Sequence, residues 1–351
     1  MECRYYIGAP SSHRDHARTH LLSFLRKLLL LAFLAVLALG GYAAYYALTP
    51  IGTARLPAEF QVSAGSGLRS TARQIEAGGI PLGRYQFEAL TRVLGKSREI
   101  KAGSYQLTEA TNPMQLLEKL TRGDVTQGEV ALIEGWTFRQ FRAAMAATSD
   151  LRGDSRALQD GEILNRIGAT EEHPEGLFFP DTYLFSKGSS DFDVFARAYR
   201  TMQRKLAAEW AAHDPKIAYK TPYEALIMAS IVEKETGAAS ERDMIAGVLF
   251  NRLRIGMRLQ ADPTVIYGLG TAFDGNLRKK DLLEDGPYNS YTRAGLPPTP
   301  ISMPGVASLR AAMRPAQTTA IYYVSKGDGT SQFSNTLDEH NRAVSRYQLK
   351  R

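Results

Sequence analysis

Two carboxylates, Glu233 and Glu235, lie near the end of a stretch that is otherwise mostly apolar or small, residues 221–237 (TPYEALIMASIVEKETG). A buried acid costs free energy unless it is paired or has a chemical function. Acids in apolar surroundings are also common general acids and bases in enzymes. The stretch therefore has two interpretations: proton transfer at one of the two acids, or two ion-paired, partly exposed acids at a helix end.

The same stretch carries the signals of a helix with a defined beginning and end. Thr221 suits the N-cap, Pro222 suits the first helical position, and Glu224 stands three residues after the cap, as in a capping box. Gly237 is placed to end the helix. Because most of the residues between them are apolar, we expect the helix to be buried on most of its circumference.

The two acids point in nearly opposite directions on such a helix, since residues two apart do not share a face. The face of Glu233 is lined mainly by small residues, which leaves room for a substrate. It holds Leu226, Ala229, Ser230 and Gly237. Glu235 is expected to pair with a basic neighbour, and the candidates are Arg242, Arg252 and Arg254. Glu233 is therefore the candidate catalytic acid, and Glu235 is a candidate structural acid.

A hydrophobic segment precedes the globular part of the chain. Residues 28–48 contain no charged side chain and are long enough to cross a bilayer as a helix. Residues 1–27 hold five Lys or Arg residues against two acidic ones, which predicts a cytoplasmic N-terminal segment. A cleaved signal peptide is the alternative, but no clear small-residue cleavage site follows. We predict a retained, single-pass anchor in the cytoplasmic (inner) membrane and a linker at 49–58.

Residues 59–124 form a compact segment of alternating strand and helix patterns, ended near Gly123. In it, a strand leads through a glycine turn into an amphipathic helix, and this pattern partly recurs 70 residues later. Gly65, Leu68, Arg69 and Ile75 correspond to Gly135, Phe138, Arg139 and Met145. The recurrence predicts two small α+β units.

The remainder, residues 125–351, mixes helical periodicity with short strand patterns, which predicts an α+β fold. The aromatic run EGLFFPDTYLF, residues 175–185, has two interpretations: a loop packed under a core, or a rim that stacks on sugars. Polar or proline-rich loops are predicted after the central helix, and stiff loops of this kind can hold binding groups. They comprise residues 260–268 (QADPTVIYG), 288–291 (YNSY) and 295–305 (GLPPTPISMPG).

Composition and motifs argue against several kinds of chemistry. The net charge of +7 is not concentrated in a basic run with interleaved aromatics, so no nucleic-acid partner is predicted. A single cysteine, Cys3, provides no disulfide framework. The sequence has no H-E-x-x-H motif, no G-x-S-x-G turn and no phosphate-binding loop. We therefore predict neither a metal site nor a cofactor.

Four ordered motifs resemble those of the membrane-anchored endolytic murein transglycosylases, the YceG-like proteins. They are ASIVEKETG, NRLRIGMRLQADPTVIYG, YNSYTRAGLPPTPISMPG and FSNTLDEHN. The resemblance covers nearly the whole chain after residue 27. It implies that residues 59–124 are a LysM-like peptidoglycan-binding module, that residues 125–351 are the catalytic domain, and that Glu233 is the catalytic acid.

The resemblance also implies a reaction: cleavage of the β-1,4 bond between N-acetylmuramic acid and N-acetylglucosamine within glycan strands. The product carries a 1,6-anhydro end, and elongation of the nascent strand stops. One acid suffices, because Glu233 can protonate the leaving oxygen and then, as a carboxylate, take the proton of the C6 hydroxyl. Such an acid needs apolar surroundings that raise its pKa.

The partners implied by the resemblance are peptidoglycan glycan strands, the inner membrane and peptidoglycan synthases. The motif positions suited to substrate binding, or to orienting the acid, are Ser230, Gln260, Asp262, Tyr288, Asn289 and Tyr291.

Two other classes of function stay open at this point. A catalytically silent, membrane-tethered peptidoglycan-binding protein needs no acid at position 233. A hydrolytic muramidase needs a second carboxylate to activate water, for which Asp262 and Asp181 are the candidates. The chain ends of the product distinguish the classes, because hydrolysis leaves reducing ends.

Overall fold

The computed structural model describes residues 13–53 and 56–349, with side chains from residue 24 onward. Cys3 and the first twelve residues of the predicted cytoplasmic segment lie outside the described residues, as do two residues of the predicted linker. The described residues combine helices with three two-stranded antiparallel sheets, an α+β fold. The chain divides into two compact units, Met1–Thr126 and Gln127–Arg351.

The first unit begins with a long helix, α1 (His13–Leu48). Its part Phe24–Leu48 is the one helix in the described part of the chain that is long and apolar enough to cross a membrane. The leucines and phenylalanines along this part are exposed. The other elements of the unit are β1 (Ala58–Val62), α2 (Leu68–Ala77), α3 (Arg84–Val93), β2 (Gly103–Leu107) and α4 (Pro113–Arg122).

Strands β1 and β2 pair in antiparallel register and enclose two helices in the chain order β–α–α–β. Alternation along β1 buries Phe60 and Val62 on one face, as expected for a half-buried strand. The Phe60 ring stacks on Tyr105 of β2 with 5.4 Å between centroids. Helices α2 and α4 cover this pair with fully buried Ile75 and Leu116, so the unit has a hydrophobic core of its own.

The second unit contains most of the helices. Its elements are β3 (Gln127–Ala131), α5 (Phe138–Ala147), α6 (Asp160–Ile167), β4 (Thr182–Ser186), α7 (Asp191–Ala211), α8 (Pro222–Glu235), α9 (Arg242–Arg254), α10 (Asp262–Leu269), α11 (Lys279–Leu283), α12 (Val306–Met313), β5 (Tyr322–Ser325), β6 (Ser331–Ser334) and α13 (Leu337–Tyr347). Short 3₁₀ turns lie at Ala239–Glu241 and Gly270–Ala272.

The recurrence predicted at an offset of 70 residues is confirmed. Strands β3 and β4 pair antiparallel around α5 and α6, which repeats the β–α–α–β order of the first unit. Helix α2 begins at Leu68 and helix α5 at Phe138. Each follows a turn with a left-handed glycine, Gly65 at φ +77° and Gly135 at φ +76°. Left-handed backbone is accessible to glycine without steric cost, which explains the residue type at both turns.

The aromatic run 175–185 belongs to the core, so the sugar-stacking interpretation was wrong. Phe178 is fully buried, and its ring lies 5.1 Å from Phe138 and 5.7 Å from Phe195. Tyr183 and Phe185 point inward from β4. The segment that follows Pro180 is a regular strand paired with β3, rather than an irregular loop.

The predicted central helix is α8, and residues Ala225 to Val232 are all buried. Thr221 caps it as predicted, since its hydroxyl accepts a hydrogen bond from the Glu224 backbone N–H at 3.2 Å. The second hydrogen bond of the predicted capping box is shifted by one residue. The Glu224 carboxylate accepts from the backbone N–H of Lys220 at 2.6 Å, one residue before the cap.

Helix α8 ends at Glu235, with Thr236 as its C-cap and the predicted terminating glycine, Gly237, directly after it. The hydroxyl of Thr236 donates to the backbone carbonyl of Val232 at 2.7 Å. The same carbonyl also accepts the backbone N–H of Thr236 at 3.0 Å, so the backbone and the side chain of Thr236 together close the last turn.

Part of the predicted loop 260–268 is helical. Helix α10 begins at Asp262, and Pro263 lies in its first turn, where proline initiates a helix because no N–H partner is required. Gln260, just before it, has φ +50° and is the one non-glycine residue with a positive φ among those described. Non-glycine residues in this region store strain and are concentrated at functional sites.

Candidate active site

The face of α8 that carries Glu233 packs against the segment 301–305, which leads into α12. One turn before Glu233, the hydroxyl of Ser230 donates to the Ile227 carbonyl at 2.7 Å and accepts from the Ile301 N–H at 3.0 Å. The Ser302 hydroxyl donates to the Ser230 carbonyl at 3.1 Å. These bonds hold the segment alongside the helix, on the face predicted from the sequence.

Glu233 is half-buried at the end of this contact. Its Oε2 accepts a hydrogen bond from the backbone N–H of Gly305 at 2.9 Å. Within the described part of the chain, its other carboxyl oxygen has no hydrogen-bond partner. One oxygen thus fixes the orientation of the group, and the other is available to a ligand.

The segment 301–305 is also paired with the turn that follows β3. The backbone N–H of Gly135 donates to the Met303 carbonyl at 2.8 Å, and the Met303 N–H donates to the Trp136 carbonyl at 2.7 Å. From α8, the Lys234 ammonium reaches the Gly135 carbonyl at 3.3 Å. The turn, the segment and the end of α8 therefore meet at one place.

This arrangement brings a second acid, Glu134, close to Gly305, the residue whose N–H Glu233 accepts. A Cβ atom added at Gly305 would overlap the carboxyl group of Glu134, so this carboxyl lies directly against the Gly305 Cα. Loss of solvent raises the pKa of Glu134 above its ordinary value, and the charge of Glu233 raises it further, while Arg242 acts in the opposite direction. Two carboxyl groups therefore flank Gly305, one at its N–H and one at its Cα.

Glu235 points away from this pair, as predicted, but its partner is not an arginine. Its Oε2 accepts from the hydroxyl of Tyr323 on β5 at 2.9 Å. Burial raises the pKa of Glu235 to about 7, the Tyr323 bond and Arg252 oppose the rise, and the charge of Asp262 adds to it.

The Arg252 guanidinium donates to the carbonyls of Ile321 and Leu259 at 2.7 and 2.6 Å. It influences Glu235 through its charge alone, without a direct hydrogen bond. The predicted ion pair between Glu235 and an arginine is therefore wrong. Of the predicted partners, Arg252 acts on Glu235 through its charge, but its guanidinium is hydrogen-bonded to two backbone carbonyls instead.

A second group of predicted residues comes together at the start of α10. The Tyr291 hydroxyl donates to Asp262 Oδ1 at 2.5 Å. Ser290 links the two loops, since its carbonyl accepts from the Gln260 N–H at 3.1 Å and its hydroxyl accepts from the Ala261 N–H at 2.9 Å. The loop 288–291 and the start of α10 therefore form one rigid edge.

Tyr288 lies at the other end of this loop. Its hydroxyl shares a hydrogen bond of 2.8 Å with the Thr299 hydroxyl. Its ring meets Tyr267 edge to face, with 4.8 Å between centroids. Both tyrosines are half-buried, so this contact connects α10 to the proline-rich segment.

Comparison with known families is decisive for the identity of the chain. The model of the YceG-like family matches residues 60–346. This chain belongs to the YceG-like family.

The relatives of known name that resemble this chain are endolytic murein transglycosylases. An endolytic murein transglycosylase of Bacillus subtilis (strain 168) is 30% identical over 303 residues, which cover 82% of this chain and 83% of that protein. Endolytic murein transglycosylases of two Streptococcus pneumoniae strains, D39 and R6, are 24% identical and cover 95% of this chain but 66% of their own length. The crystal structure of a yceG-like protein from Listeria monocytogenes is 28% identical, with a TM-score of 0.54 over 81% of this chain and 97% of that one.

Two of the residues predicted to bind substrate in this YceG-like chain are occupied with structural contacts. Ser230 is fully buried and holds the segment 301–305. The Asn289 side chain, 5% exposed, donates to the carbonyls of Asp281, Leu282 and Glu284, and its oxygen accepts from the Tyr291 N–H. Both side chains thus support neighbouring elements of the site.

The other four predicted residues have surface that a ligand can reach. Gln260 and Asp262 are exposed, and Tyr288 and Tyr291 are half-buried. The alternative muramidase carboxylates are each engaged in a hydrogen bond. Asp262 is engaged by Tyr291, and the Asp181 side chain accepts from the Thr182 N–H at the beginning of β4.

The residues that sequence reasoning missed in this YceG-like chain are Glu134 and Glu175. Glu134 directly precedes Gly135, which the repeat had already marked as a turn between strand and helix. Glu175 is buried, accepting from the Phe138 N–H at 2.9 Å and the Tyr267 hydroxyl at 3.1 Å. Burial raises the pKa of Glu175 to about 7, against these hydrogen bonds.

Proposed function

We propose that this protein is an endolytic murein transglycosylase that cleaves the bond between N-acetylmuramic acid and N-acetylglucosamine within glycan strands. The observation that carries the proposal is the relationship to the Bacillus subtilis protein of that name, at 30% identity over 82% of the chain. The half-buried acid at the end of α8 supports it, because general acid–base chemistry needs a carboxyl group that is both oriented and accessible.

Glu233 is the catalytic residue in this proposal. Its proton passes to the glycosidic oxygen as the bond from C1 to that oxygen breaks. The oxygen of the C6 hydroxyl then bonds to C1, and its proton returns to the Glu233 carboxylate. The acid is regenerated, no water is consumed, and the muramoyl residue ends as a 1,6-anhydro sugar.

The neighbouring contacts support this role for Glu233. The Gly305 N–H holds one carboxyl oxygen, which leaves the other for the proton in transit. Ser230 acts through the segment 301–305 and not through the substrate, since its side chain is fully buried. Catalysis of this kind depends on such orientation, because small displacements of a reacting group cost large factors in rate.

The edge formed by α10 and the loop 288–291 is proposed to bind the glycan. Gln260, Asp262, Tyr288 and Tyr291 offer amide, carboxylate and hydroxyl groups that suit N-acetyl and hydroxyl groups of sugars. Ser290 ties the two parts together, so the polar groups are preorganised before the ligand arrives.

Hydrolysis is the second candidate reaction, because Glu134 lies beside Glu233 at Gly305. A muramidase that uses two carboxylates would activate water with one and protonate the leaving oxygen with the other. Its product would carry a reducing end in place of the anhydro ring.

Mass spectrometry of the products tests the proposed function. The full-length protein in detergent is incubated with intact, uncrosslinked glycan strands, and the new chain ends are identified. We expect internal cleavage with 1,6-anhydromuramoyl ends and no reducing ends. Reducing ends would instead favour the muramidase, and uncut strands would favour a binding protein without activity.

Residues 59–124 are proposed to be a LysM-like module that binds peptidoglycan without cutting it. The motivation is the β–α–α–β order with its own hydrophobic core. We expect the isolated segment to sediment with insoluble sacculi and to release no fragments. Soluble segment left in the supernatant, with a folded circular-dichroism spectrum, would reduce the module to a spacer.

The helix Phe24–Leu48 is proposed to anchor the protein in the inner membrane, with the catalytic unit outside the cytoplasm, where it meets glycan strands and peptidoglycan synthases. A reporter fused after the last residue should then be digested by protease added to spheroplasts, while a cytoplasmic control survives. Protection of the reporter would contradict this orientation and separate the enzyme from its substrate.

A further inference from the structure

We propose that Glu134 is a positioning residue of the active site, whose carboxyl group beside Glu233 lets the two acids together retain one proton at the pH of the reaction. The inference rests on the proposed function and adds a residue to it. It assigns a chemical role to the turn between β3 and α5, which belongs to the repeated β–α–α–β unit.

The two acids both contact Gly305. Glu233 accepts the Gly305 N–H, and the carboxyl group of Glu134 occupies the space in which any larger residue at 305 would put its Cβ. The two backbone bonds between Met303 and the turn hold this arrangement from the other side. Glu233 is hydrogen-bonded to the segment 301–305, and Glu134 directly precedes Gly135, whose backbone N–H donates to the Met303 carbonyl.

The charges around Glu134 explain why a proton stays with the pair. Glu233 faces it from α8, Arg242 acts on it from α9, and Lys234 approaches its turn through the Gly135 carbonyl. The segment 301–305 contributes no titratable side chain. Partial loss of solvent and the Glu233 charge raise the pKa of the Glu134 carboxyl, and the Arg242 charge acts in the opposite direction.

Two carboxyl groups that interact this closely titrate as a pair, and the second proton is lost at a higher pH than from an isolated acid. The reaction needs one proton at its start, on the group that faces the glycosidic oxygen. A negative charge on one carboxyl group disfavours a second negative charge beside it, so the pair as a whole retains one proton more readily than a single acid would. After the proton has left, Glu134 stays beside the site and favours its return from the C6 hydroxyl.

The test is the dependence of the cleavage rate on pH for Glu134→Gln, measured with the full-length protein in detergent on soluble glycan strands from pH 5 to 9. The rate is followed as total new chain ends. Removal of the neighbouring charge should move the alkaline decline of the rate to lower pH by about one unit, which is about a tenfold loss at pH 8. Near pH 5 the rate should stay close to that of the wild type.

Glu129→Gln is the matched control, since Glu129 is an exposed acid on β3 five residues before Glu134. Its pH profile should be unchanged. A profile of Glu134→Gln that superimposes on the wild type overturns the proposal. So does a loss by the same factor at every pH, which would mean a merely structural role.

A second variant, Gly305→Ala, displaces the Glu134 carboxyl without removing it. The backbone of Gly305, at φ −77°, accepts alanine without strain, so the new methyl group acts on the flexible Glu134 side chain. The alkaline decline should again move to lower pH, and the double variant Glu134→Gln, Gly305→Ala should show no additional shift. If the shifts of the two single variants instead add in the double variant, the contact between Glu134 and Gly305 is not the cause of the shift.

The failure of the proposed function is separately visible in the same experiment. Reducing ends from the wild type would overturn transglycosylation, and the pH profiles would still decide the role of Glu134. No new ends from the wild type at any pH would overturn both proposals together.

Discussion

Glu233→Gln is expected to reduce the formation of anhydro ends by at least about 10⁴-fold. General acid–base help is commonly worth about 10²–10⁴ in rate, and the proposed mechanism has one residue that performs both steps. The amide keeps the size of the side chain and can still accept from the Gly305 N–H at 2.9 Å. It cannot transfer the proton, so the loss should appear in turnover.

The stability of this variant should stay close to that of the wild type, because Glu233 is half-buried and keeps its hydrogen bond. Anhydromuropeptide yield and thermal melting are compared for wild type, Glu233→Gln and Glu235→Gln. The last variant is the control from the opposite face of α8. Full activity in Glu233→Gln, combined with a folded but inactive Glu235→Gln, would mean that the catalytic face is the other one.

The second large effect concerns stability: the free energy of unfolding of the second unit should fall as the pH rises from about 4.5 through 7. Glu175 and Glu235 cause it, since burial raises the pKa of each to about 7 from an ordinary value of 4.5. The folded state therefore binds protons that the unfolded state has already released. The contribution of each acid is fully present below pH 4.5 and is lost as the pH rises through 7.

The size of this loss is roughly 3 kcal/mol for each acid, from a shift of between two and three pKa units at 1.36 kcal/mol per unit. Thermal melting between pH 5 and 8.5 measures it. Glu175→Gln and Glu235→Gln should each depend less on pH than the wild type and should gain stability relative to it at pH 8. Glu172→Gln, at an exposed position nearby, is the control. Melting curves of all four proteins that run parallel in pH would contradict the assignment.

This expectation for Glu235 differs from the one that follows from the sequence alone. A paired arginine would be left without a partner in Glu235→Gln, and the protein would lose stability. Arg252 instead keeps its bonds to the Leu259 and Ile321 carbonyls, and Tyr323 retains an acceptor in the glutamine oxygen. The replacement therefore removes a desolvated charge and leaves both the Tyr323 hydroxyl and the Arg252 guanidinium with acceptors.

Features that depend on short stretches of chain could be predicted from the sequence. Thr221 and Pro222 begin α8, and Glu233 and Glu235 occupy opposite faces, because helical geometry is set by spacing within a few residues. The repeated strand, glycine turn and helix were visible for the same reason. Helical periodicity alone left the catalytic role of Glu233 as one of two interpretations, and the family motifs identified it as the proposed acid.

What only the tertiary structure decided are the contacts between distant parts of the chain. Glu233 meets Gly305 across 72 residues, and Glu235 meets Tyr323 across 88. The place of Glu134 beside Glu233 depends on how the turn after β3 packs on segment 301–305. An acid before a glycine turn looks like an ordinary solvated residue in sequence. Its neighbours, and with them its charge state, are set by packing, which no local pattern encodes.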